Sequence, residues 1–460
     1  MATILTAIAL SVFGLMCLMS VFKPQWALVL ILSFMGYEQL MNSFVPFLAQ
    51  RSWVSNVVAA GFAGLALVSA MAYGRRPFRG LVNANTFLII SLYLLAYAGY
   101  TYSMAPEAAI YFIKTGIPYL VLMLGILPAL VCTHDQIQRM SVPLLFVGCI
   151  LIVLILISPR TEFYGTRLFI DLSYTGGKAD RGNPLAIAEV GGLMVIVAAL
   201  MNPRSSNLLI SLLRLGAIIL GLSIAFLVGS RGQLVSSAFI AILFYPLAHE
   251  IRNVKQFFLR AFSVGTFGFV MLFVSKVFLS ASDATQRFSY DQLAQGISGR
   301  MYYITTMLQE YGARPGSYLQ GLGTGSFNAL VTTDSDGFLY PHNLVIEVLT
   351  HHGLIGFSIL FGIFCVTGYH SWKLIRAGLQ GAIDRSVVAI VLGLAGYVTL
   401  LSMKQGSFLV IPVPFYMYMV ISKIYTRSVL DGEIGYQDNS DPGEAYSESY
   451  GDQDWDEGQD

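Results

Sequence analysis

One histidine and a few arginines are the side chains of this sequence best suited to chemistry. Arg231 lies between two glycines in a short turn at residues 229–232, and His342 follows a proline directly before an apolar run. A planar guanidinium can bind a phosphate through two parallel hydrogen bonds, and flanking glycines let the phosphate approach the backbone. A histidine with an unperturbed pKa of about 6.5 can take a proton from an attacking hydroxyl. The two residues are therefore our candidate catalytic pair for a reaction on a phosphorylated substrate.

Each of these residues also has a simpler interpretation. An arginine at a membrane border can extend its charge to lipid headgroups, and a histidine at a helix start can be satisfied by local hydrogen bonds. Asn343 can cap the following helix or orient the imidazole of His342, and Glu347 can pair with an arginine. The chemical interpretation is favoured by further cations that the span pattern places on the same outer face. These cations are Arg160, Arg167, Lys178, Arg181, Arg287, Arg300 and Arg314.

The composition restricts the class of protein. Of the 460 residues, 55% are hydrophobic and only 12% are charged, and the mean hydropathy is +0.66. Soluble globular domains carry roughly 25% charged residues, which excludes a disordered chain, a nucleic-acid-binding protein and an ordinary cytosolic enzyme. The four cysteines are too scattered for a metal site, and the glycine-rich stretch 321–325 lacks the βαβ context of a nucleotide-binding loop. We expect a membrane protein that uses neither a metal nor a nucleotide cofactor.

Apolar stretches long enough to cross a membrane recur along the chain. A helix needs about 20 apolar residues to cross the hydrocarbon layer, and on that measure we count thirteen spans, with an error of one either way. The prediction is an all-α, polytopic membrane protein with 12–14 transmembrane helices. Basic residues gather in every second loop, so the positive-inside rule places the N-terminus outside and the C-terminus in the cytoplasm. The predicted spans are 3–22, 26–48, 53–73, 85–103, 108–131, 141–158, 184–201, 207–228, 233–248, 261–280, 344–369, 386–402 and 406–424.

Two long loops and a charged tail complete the predicted organisation. Residues 1–427 form the membrane domain, with outer loops at 159–183 and 281–341. Apolar side chains with helical spacing predict a helix over residues 300–312 in the second loop. Residues 428–460 form an acidic tail, because eleven Asp and Glu residues follow position 430 and no Lys or Arg follows Arg427. Such a composition predicts disorder on the cytoplasmic side.

An ordered set of short motifs resembles the bacterial O-antigen ligase and Wzy-type polysaccharide polymerase family. The similarity covers about residues 180–356 and is specific as a set, although each motif alone is weak. The sequence departs from the family pattern at Tyr302 and Tyr303, where a Trp is usual, and thirteen spans exceed by one the twelve common in the ligases. The motifs are Arg181-Gly-Asn-Pro, Ser230-Arg-Gly, Ser298-Gly-Arg, Gly321-Leu-Gly-Thr-Gly-Ser-Phe-Asn, Pro341-His-Asn-Leu-Val-Ile-Glu-Val-Leu and Gly353-Leu-Ile-Gly.

The resemblance implies a membrane-embedded glycosyltransferase of the bacterial inner membrane that acts on the periplasmic face. Its donor would be a glycan carried on undecaprenyl diphosphate, and the reaction would need neither nucleotide nor metal. Carried onto this sequence, Arg231 with Arg181 and Arg300 would bind the diphosphate leaving group. His342 would be the general base or would orient the acceptor hydroxyl, with Asn343 and Glu347 as supporting residues, and these roles agree with the chemistry of the side chains.

Three functions fit these features. The first is a polymerase of O-antigen or exopolysaccharide, which the span count favours weakly over the second, a ligase that moves a finished glycan to a lipid A core. The third is a flippase or permease for lipid-linked glycans, which would place cations within the spans instead of at the loops. The expected partners are the lipid-linked donor, a glycan or lipid A core acceptor, the bilayer, and either a chain-length regulator or a flippase, with no nucleic acid.

Overall fold

The computed structural model describes residues 2–131, 133–164, 167–172, 181–202, 207–249, 255, 290–331 and 340–434. The described part of the chain is almost entirely helical, which confirms the predicted all-α, polytopic fold. The predicted span at 261–280 and most of the predicted tail lie outside the described residues.

The first half of the chain contains eight α-helices. A 3-10 turn over Gly99–Tyr102 follows α5, and a π-helical stretch over Val121–Ile126 joins α6 to α7. The helices are α1 Ala2–Phe22, α2 Gln25–Phe44, α3 Pro46–Gln50, α4 Trp53–Ala72, α5 Ala84–Ala98, α6 Pro106–Leu120, α7 Leu127–Leu130 and α8 His134–Ile157.

The described part of the second half begins with a short antiparallel hairpin and includes nine α-helices. Strand β1 covers Thr161–Tyr164 and pairs with β2 over Arg167–Ile170. The helices are α9 Pro184–Leu200, α10 Leu208–Leu227, α11 Arg231–Ala248, α12 Tyr290–Ala313, α13 Ser317–Gln320, α14 Phe327–Leu330, α15 Leu344–Leu379, α16 Arg385–Ser402 and α17 Val413–Leu430.

Most of the predicted spans correspond to helices. Among the described residues, nine helical segments are long and apolar enough to cross a membrane, and α2, α9 and α17 occupy three further predicted spans. The helix predicted over 300–312 is present as the longer α12. The span predicted over 406–424 was placed too early, because residues 403–412 form a loop with Gly406 at φ 77° and the helix begins only at Val413.

Two helices, α2 and α8, run the length of the bundle and define its two ends. The 20 residues of α2 and the 24 residues of α8 extend about 30–36 Å, which matches the thickness of the hydrocarbon layer. One end, the hairpin end, carries the last turns of α2, the β-hairpin and the 403–412 loop. The opposite end carries the start of α2, the start of α8 and the last turn of α17, where Arg79 pairs with Asp431 at 2.8 Å.

A break in α15 ties the glycine-rich stretch 321–325 to the bundle. Gly353 interrupts the helix at φ 62° and ψ −160°, a conformation that L side chains rarely adopt. The freed carbonyl groups are paired, since Leu322 N donates to Thr350 O at 2.8 Å and Gly323 N donates to His351 O at 2.9 Å. The glycine-rich stretch therefore completes the hydrogen bonding of an interrupted membrane helix.

Buried polar groups hold other parts of the bundle together. Lys423 is completely buried, and its Nζ donates to the carbonyl oxygens of Pro128 at 2.8 Å and Ala129 at 3.0 Å. Glu38 accepts hydrogen bonds from Ser55 Oγ at 3.1 Å and Asn56 Nδ2 at 2.6 Å. These contacts join α17 to α7 and α2 to α4, and they pair groups that would be costly to leave unpaired in an apolar environment.

Candidate active site

Arg231 lies where the hairpin between α10 and α11 opens into a helix. Gly229 reverses the chain at φ 68°, and the buried Ser230 precedes the first residue of α11. The first turn of a helix presents free backbone N–H groups and the positive end of the helix dipole. A guanidinium at this position adds a full positive charge to a site that already favours an anion.

Arg300 on α12 lies close to Arg231, although the two residues are far apart in the sequence. Partial burial and the positive charge of Arg231 both lower the pKa of the Arg300 guanidinium. Two like charges repel each other, so their proximity is unfavourable unless an anion lies between or beside them. The structure thus brings two of the three predicted diphosphate-binding arginines together.

His342 is the third member of this group. Burial, and secondarily the charge of Arg300, lower the pKa of its imidazole to about 4. The imidazole is therefore neutral at pH 7 and keeps a nitrogen lone pair available to accept a proton or a hydrogen bond. The predicted base and two predicted cations thus converge from three separate segments of the chain.

The backbone and two tyrosines fix the position of the His342 ring. Its φ of 57° is the only positive value of a residue other than glycine among the described residues, and histidine tolerates this conformation better than most residues. The ring of Tyr303 stacks on the imidazole with centroids 6.4 Å apart, and the ring of Tyr340 meets it edge-on at 4.5 Å. Asn343 caps α15 by accepting a hydrogen bond from Ile346 N at 3.1 Å, as predicted for a cap.

The 403–412 loop connects the segments that carry the site. The Ser407 hydroxyl donates to Glu347 Oε1 at 2.5 Å, and Phe408 N donates to Glu347 Oε2 at 3.3 Å. The backbone of Gly406 is hydrogen bonded to the hydroxyl of Tyr340, next to His342. Glu347 is therefore a buried anchor for this loop, and no ion pair between it and an arginine is present among the described residues, although its sequence allowed one.

Lys404, in the same loop, is a cation of the site that the sequence analysis missed. Its Nζ donates to Gln233 Oε1 at 3.0 Å, and a Cβ atom added at Gly232 would collide with Nζ. The ammonium group thus lies directly against the residue that follows Arg231. One signal was present in the sequence: a lysine between two spans on the predicted outer face runs against the positive-inside rule.

Arg181 makes its contacts on the β-hairpin. Its guanidinium carbon lies 3.3 Å from the ring centroid of Tyr164, and its backbone bridges to Asp171. Asn183 then caps α9 by accepting a hydrogen bond from Leu185 N at 3.0 Å. The structure therefore places Arg181 at the hairpin end, where an aromatic ring orients its side chain, and its role in diphosphate binding stays a prediction.

Several other cations of the predicted outer face have structural partners. Arg160 pairs with Asp171 at 3.1 Å, and Arg314 pairs with Glu310 at 3.3 Å one helical turn away. Lys178 and Arg287 lie outside the described residues. Within the described part of the chain, no three His, Cys, Asp or Glu residues are grouped so that they could hold a metal ion.

A cavity of about 400 Å³ lies beside the 403–412 loop. Glu189 from α9 faces it, together with Gln405 and Ser407 from the loop. Leu344 and Phe415 supply part of its apolar wall. The cavity shows that the start of α9, the start of α15 and the 403–412 loop meet at the same end of the bundle.

Comparison with known protein families identifies the central part of the chain. Residues 215–361 match the model of a family described as O-antigen ligase, which is about a third of the chain. The match includes Arg231, Arg300, His342, Asn343 and Glu347 and excludes Arg181 and Lys404. No curated protein matches the sequence. Over residues 215–361, from α10 to the first half of α15, the chain is thus similar to the family described as O-antigen ligase.

Proposed function

We propose that this protein is a membrane glycosyltransferase that joins glycan units carried on undecaprenyl diphosphate. The specific activity that we propose is that of a polysaccharide polymerase. The observation that carries the proposal is the convergence of Arg231 and Arg300 beside the neutral imidazole of His342. The two positive charges repel each other, so binding of a doubly charged anion such as a diphosphate between or beside them is favoured. The neutral imidazole beside them can receive the proton that a reacting hydroxyl must lose.

The proposed reaction is a displacement at the anomeric carbon of the donor sugar. The acceptor hydroxyl oxygen forms a bond to that carbon while the bond from carbon to the diphosphate oxygen breaks. The diphosphate leaves with the bonding electron pair, and Arg231 and Arg300, with Lys404 next to them, stabilise its charge. The hydroxyl proton passes to a ring nitrogen of His342 and then to solvent. Most of the rate acceleration would come from positioning the two substrates and from preorganised positive charge.

The basicity of His342, the proposed base, should depend on whether the donor is bound. At a pKa of about 4 the imidazole is a weak base in the unliganded protein. A bound diphosphate would offset the charge of Arg300, which is one cause of the lowered pKa. The pKa would then rise, so the imidazole would be a stronger base when the donor is in place.

The proposed location is the bacterial inner membrane, with the site on the periplasmic face and the C-terminus in the cytoplasm. Support comes from the basic residues at the end of the bundle opposite the site, among them Lys23, Arg75, Arg76 and Arg139. The positive-inside rule would place that end in the cytoplasm. In the same proposal residues 1–427 form the membrane domain and residues 428–460 a cytoplasmic tail.

A ligase is the second candidate, because the matching family is described as O-antigen ligase. It would use the same donor chemistry and a lipid A core as the acceptor. A flippase is less favoured, since the cations of the proposed site lie at one end of the bundle: Arg231 at a helix start, Arg300 on a helix outside the spans and Lys404 in a loop.

The decisive test uses purified protein with a single undecaprenyl-diphosphate-linked repeat unit and separates the products on a gel. A ladder of lengths would identify a polymerase, and a product formed only after lipid A core is added would identify a ligase. His342→Asn should abolish either product while the protein still folds, because Asn also tolerates a positive φ. His370→Gln, on the part of α15 that approaches the opposite end, is the matched control and should retain activity. Full activity of His342→Asn would contradict the proposal.

A further inference from the structure

The end of the bundle opposite the candidate site contains an open basic groove. One part of it has a volume of about 1010 Å³ and is lined by Lys23, Arg75 and Arg139 together with Met19, Trp26 and Pro143. A second cavity adjoins it, shares Arg75 and Arg139, and adds Arg76. We use the name basic groove for the surface formed by Lys23, Trp26, Arg75, Arg76 and Arg139. These residues come from the α1–α2 turn, the end of α4 and the first turns of α8.

The cations of the basic groove differ from their neighbours in their lack of acidic partners. Nearby, Arg79 pairs with Asp431 at 2.8 Å, and Arg427 pairs with the same carboxylate at 3.2 Å. Within the described parts of the chain, no ion pair involves Lys23, Arg75, Arg76 or Arg139. Asp135 also lines the second cavity, and its carboxylate lies 3.7 Å from the ring of His134. The groove therefore carries an excess of positive charge that an anionic ligand would neutralise.

The groove also has an apolar wall that continues onto the outer surface of the bundle. Met19, Trp26 and Pro143 line it beside the cations. On the same end of α1, Leu18 and Phe22 expose 54% and 59% of their surface. Apolar side chains exposed on a membrane-spanning helix face the lipid tails. Positive charge is thus placed next to a surface that meets hydrocarbon, as the two parts of a phospholipid require.

We propose that the basic groove is a binding site for the headgroup phosphate of an anionic phospholipid. Arg75 and Arg139, which line both cavities, would bind the phosphate, and the acyl chains would lie along Met19, Trp26 and the exposed face of α1. Basic pockets between transmembrane helices are known to hold anionic headgroups. This proposal is independent of the glycosyltransferase proposal, because the groove lies at the other end of the bundle from Arg231 and His342.

The alternative is a diffuse attraction of all cations on this face to anionic lipid. A matched pair of double variants distinguishes lipid binding at a defined site from this diffuse attraction. Arg75→Gln with Arg139→Gln removes two charges from the groove. Lys373→Gln with Arg376→Gln removes two charges from the end of α15, where both side chains lie over the ring of Trp372. The two double variants change the net charge equally, so a difference in lipid binding between them shows that the position of the removed cations matters.

The measurement is native mass spectrometry of the purified full chain, titrated with phosphatidylglycerol and separately with phosphatidylcholine. We expect the wild type and the Lys373/Arg376 variant to retain phosphatidylglycerol in preference to phosphatidylcholine. The Arg75/Arg139 variant should bind phosphatidylglycerol about thirtyfold more weakly, which corresponds to about 1 kcal/mol for each lost cation. Glycan joining is not needed for this readout, so the result stands whether or not the glycosyltransferase proposal is correct.

Three results would overturn the proposal. Equal losses in the two double variants would show a diffuse field, and equal retention of both lipids by the wild type would show that charge is not recognised. In a further arm, inorganic phosphate is added in excess to the lipid-bound protein. Displacement of phosphatidylglycerol at phosphate concentrations similar to those of the lipid would identify a site for free phosphate instead. If the lipid stays bound, the phospholipid proposal is supported, because only a phospholipid has acyl chains that can contact the apolar wall.

Discussion

Partial desolvation and the neighbouring charge of Arg231 both lower the pKa of the Arg300 guanidinium, although the two residues are 69 positions apart in the chain. Arg300 in turn contributes to the low pKa of His342, so the three side chains form one electrostatic group. A cluster of like charges is costly in the unliganded protein and is relieved when an anion binds. This relation makes the protonation of His342 a measurable report on the two arginines.

The first prediction concerns the pH dependence of kcat/KM. The proposed base must be neutral, so activity should be present above the His342 pKa of about 4 and be lost as the pH falls through it. Arg300→Gln removes a positive charge that disfavours the imidazolium, so this pKa should rise and the acid limb should move to higher pH by up to about one unit. The pH profile of glycan joining measures the limb. Arg314→Gln should leave the limb where it is, because Arg314 is exposed and pairs with Glu310. An acid limb at unchanged pH in Arg300→Gln would show that Arg300 does not influence the pKa of His342.

The second prediction concerns the anchoring of the 403–412 loop by Glu347. Glu347→Gln weakens the buried hydrogen bonds from Ser407 and Phe408, and we expect a loss of about 1–3 kcal/mol in the free energy of unfolding. Thermal unfolding of the detergent-solubilised protein measures this loss, and activity should fall as well because the loop also contacts Tyr340.

The matched control for this variant is Glu310→Gln. It removes an exposed ion pair with Arg314, which contributes at most about 1 kcal/mol. Equal destabilisation by the two substitutions would show that Glu347 is not the anchor of the loop.

The third prediction concerns the close approach of Lys404 to the helix start. A Cβ at position 232 would collide with Nζ of Lys404, so Gly232→Ala should displace the ammonium group from its place beside Arg231. A flexible lysine can move, so the protein should fold, and we expect KM for the lipid-linked donor to rise about tenfold through loss of a charge-assisted contact of about 1.4 kcal/mol. Steady-state kinetics with the purified protein provide the measurement.

Gly216→Ala in α10 is the control for this third prediction. A Cβ at Gly216 meets no atom within 4 Å, so donor binding should be unchanged and the helix slightly stabilised. An unchanged KM in Gly232→Ala would indicate that Lys404 does not touch the donor.

Local patterns in the sequence predicted much of the fold and part of the site. Runs of apolar residues identify membrane helices because each run is continuous in the chain, and the cap at Asn343 is likewise a local signal. Arg231, Arg300 and His342 were found as a group because their motifs occur in a familiar order, and the structure brings these three together.

Other parts of the site depend on contacts between distant segments. Glu347 is paired with Ser407, 60 positions later, and no periodicity in the sequence links the two. Lys404 was missed for the same reason, since its meaning comes from the packing of the 403–412 loop against Gly232. Arg181 was grouped with the other arginines by motif order, whereas the structure places its side chain over Tyr164.

The glycine-rich stretch 321–325 is hydrogen bonded to two helices that are synthesised at different times. Thr324 N donates to Gly99 O at 3.2 Å, at the end of α5, while Leu322 and Gly323 donate to α15. During synthesis α5 enters the membrane more than two hundred residues before α15. The stretch can acquire its second set of partners only after the break at Gly353 has been inserted. The two ends of the proposed catalytic segment, with Arg300 before this stretch and His342 after it, are therefore brought into register late, and we expect a chain that stops short of α15 to be inserted without a complete candidate site.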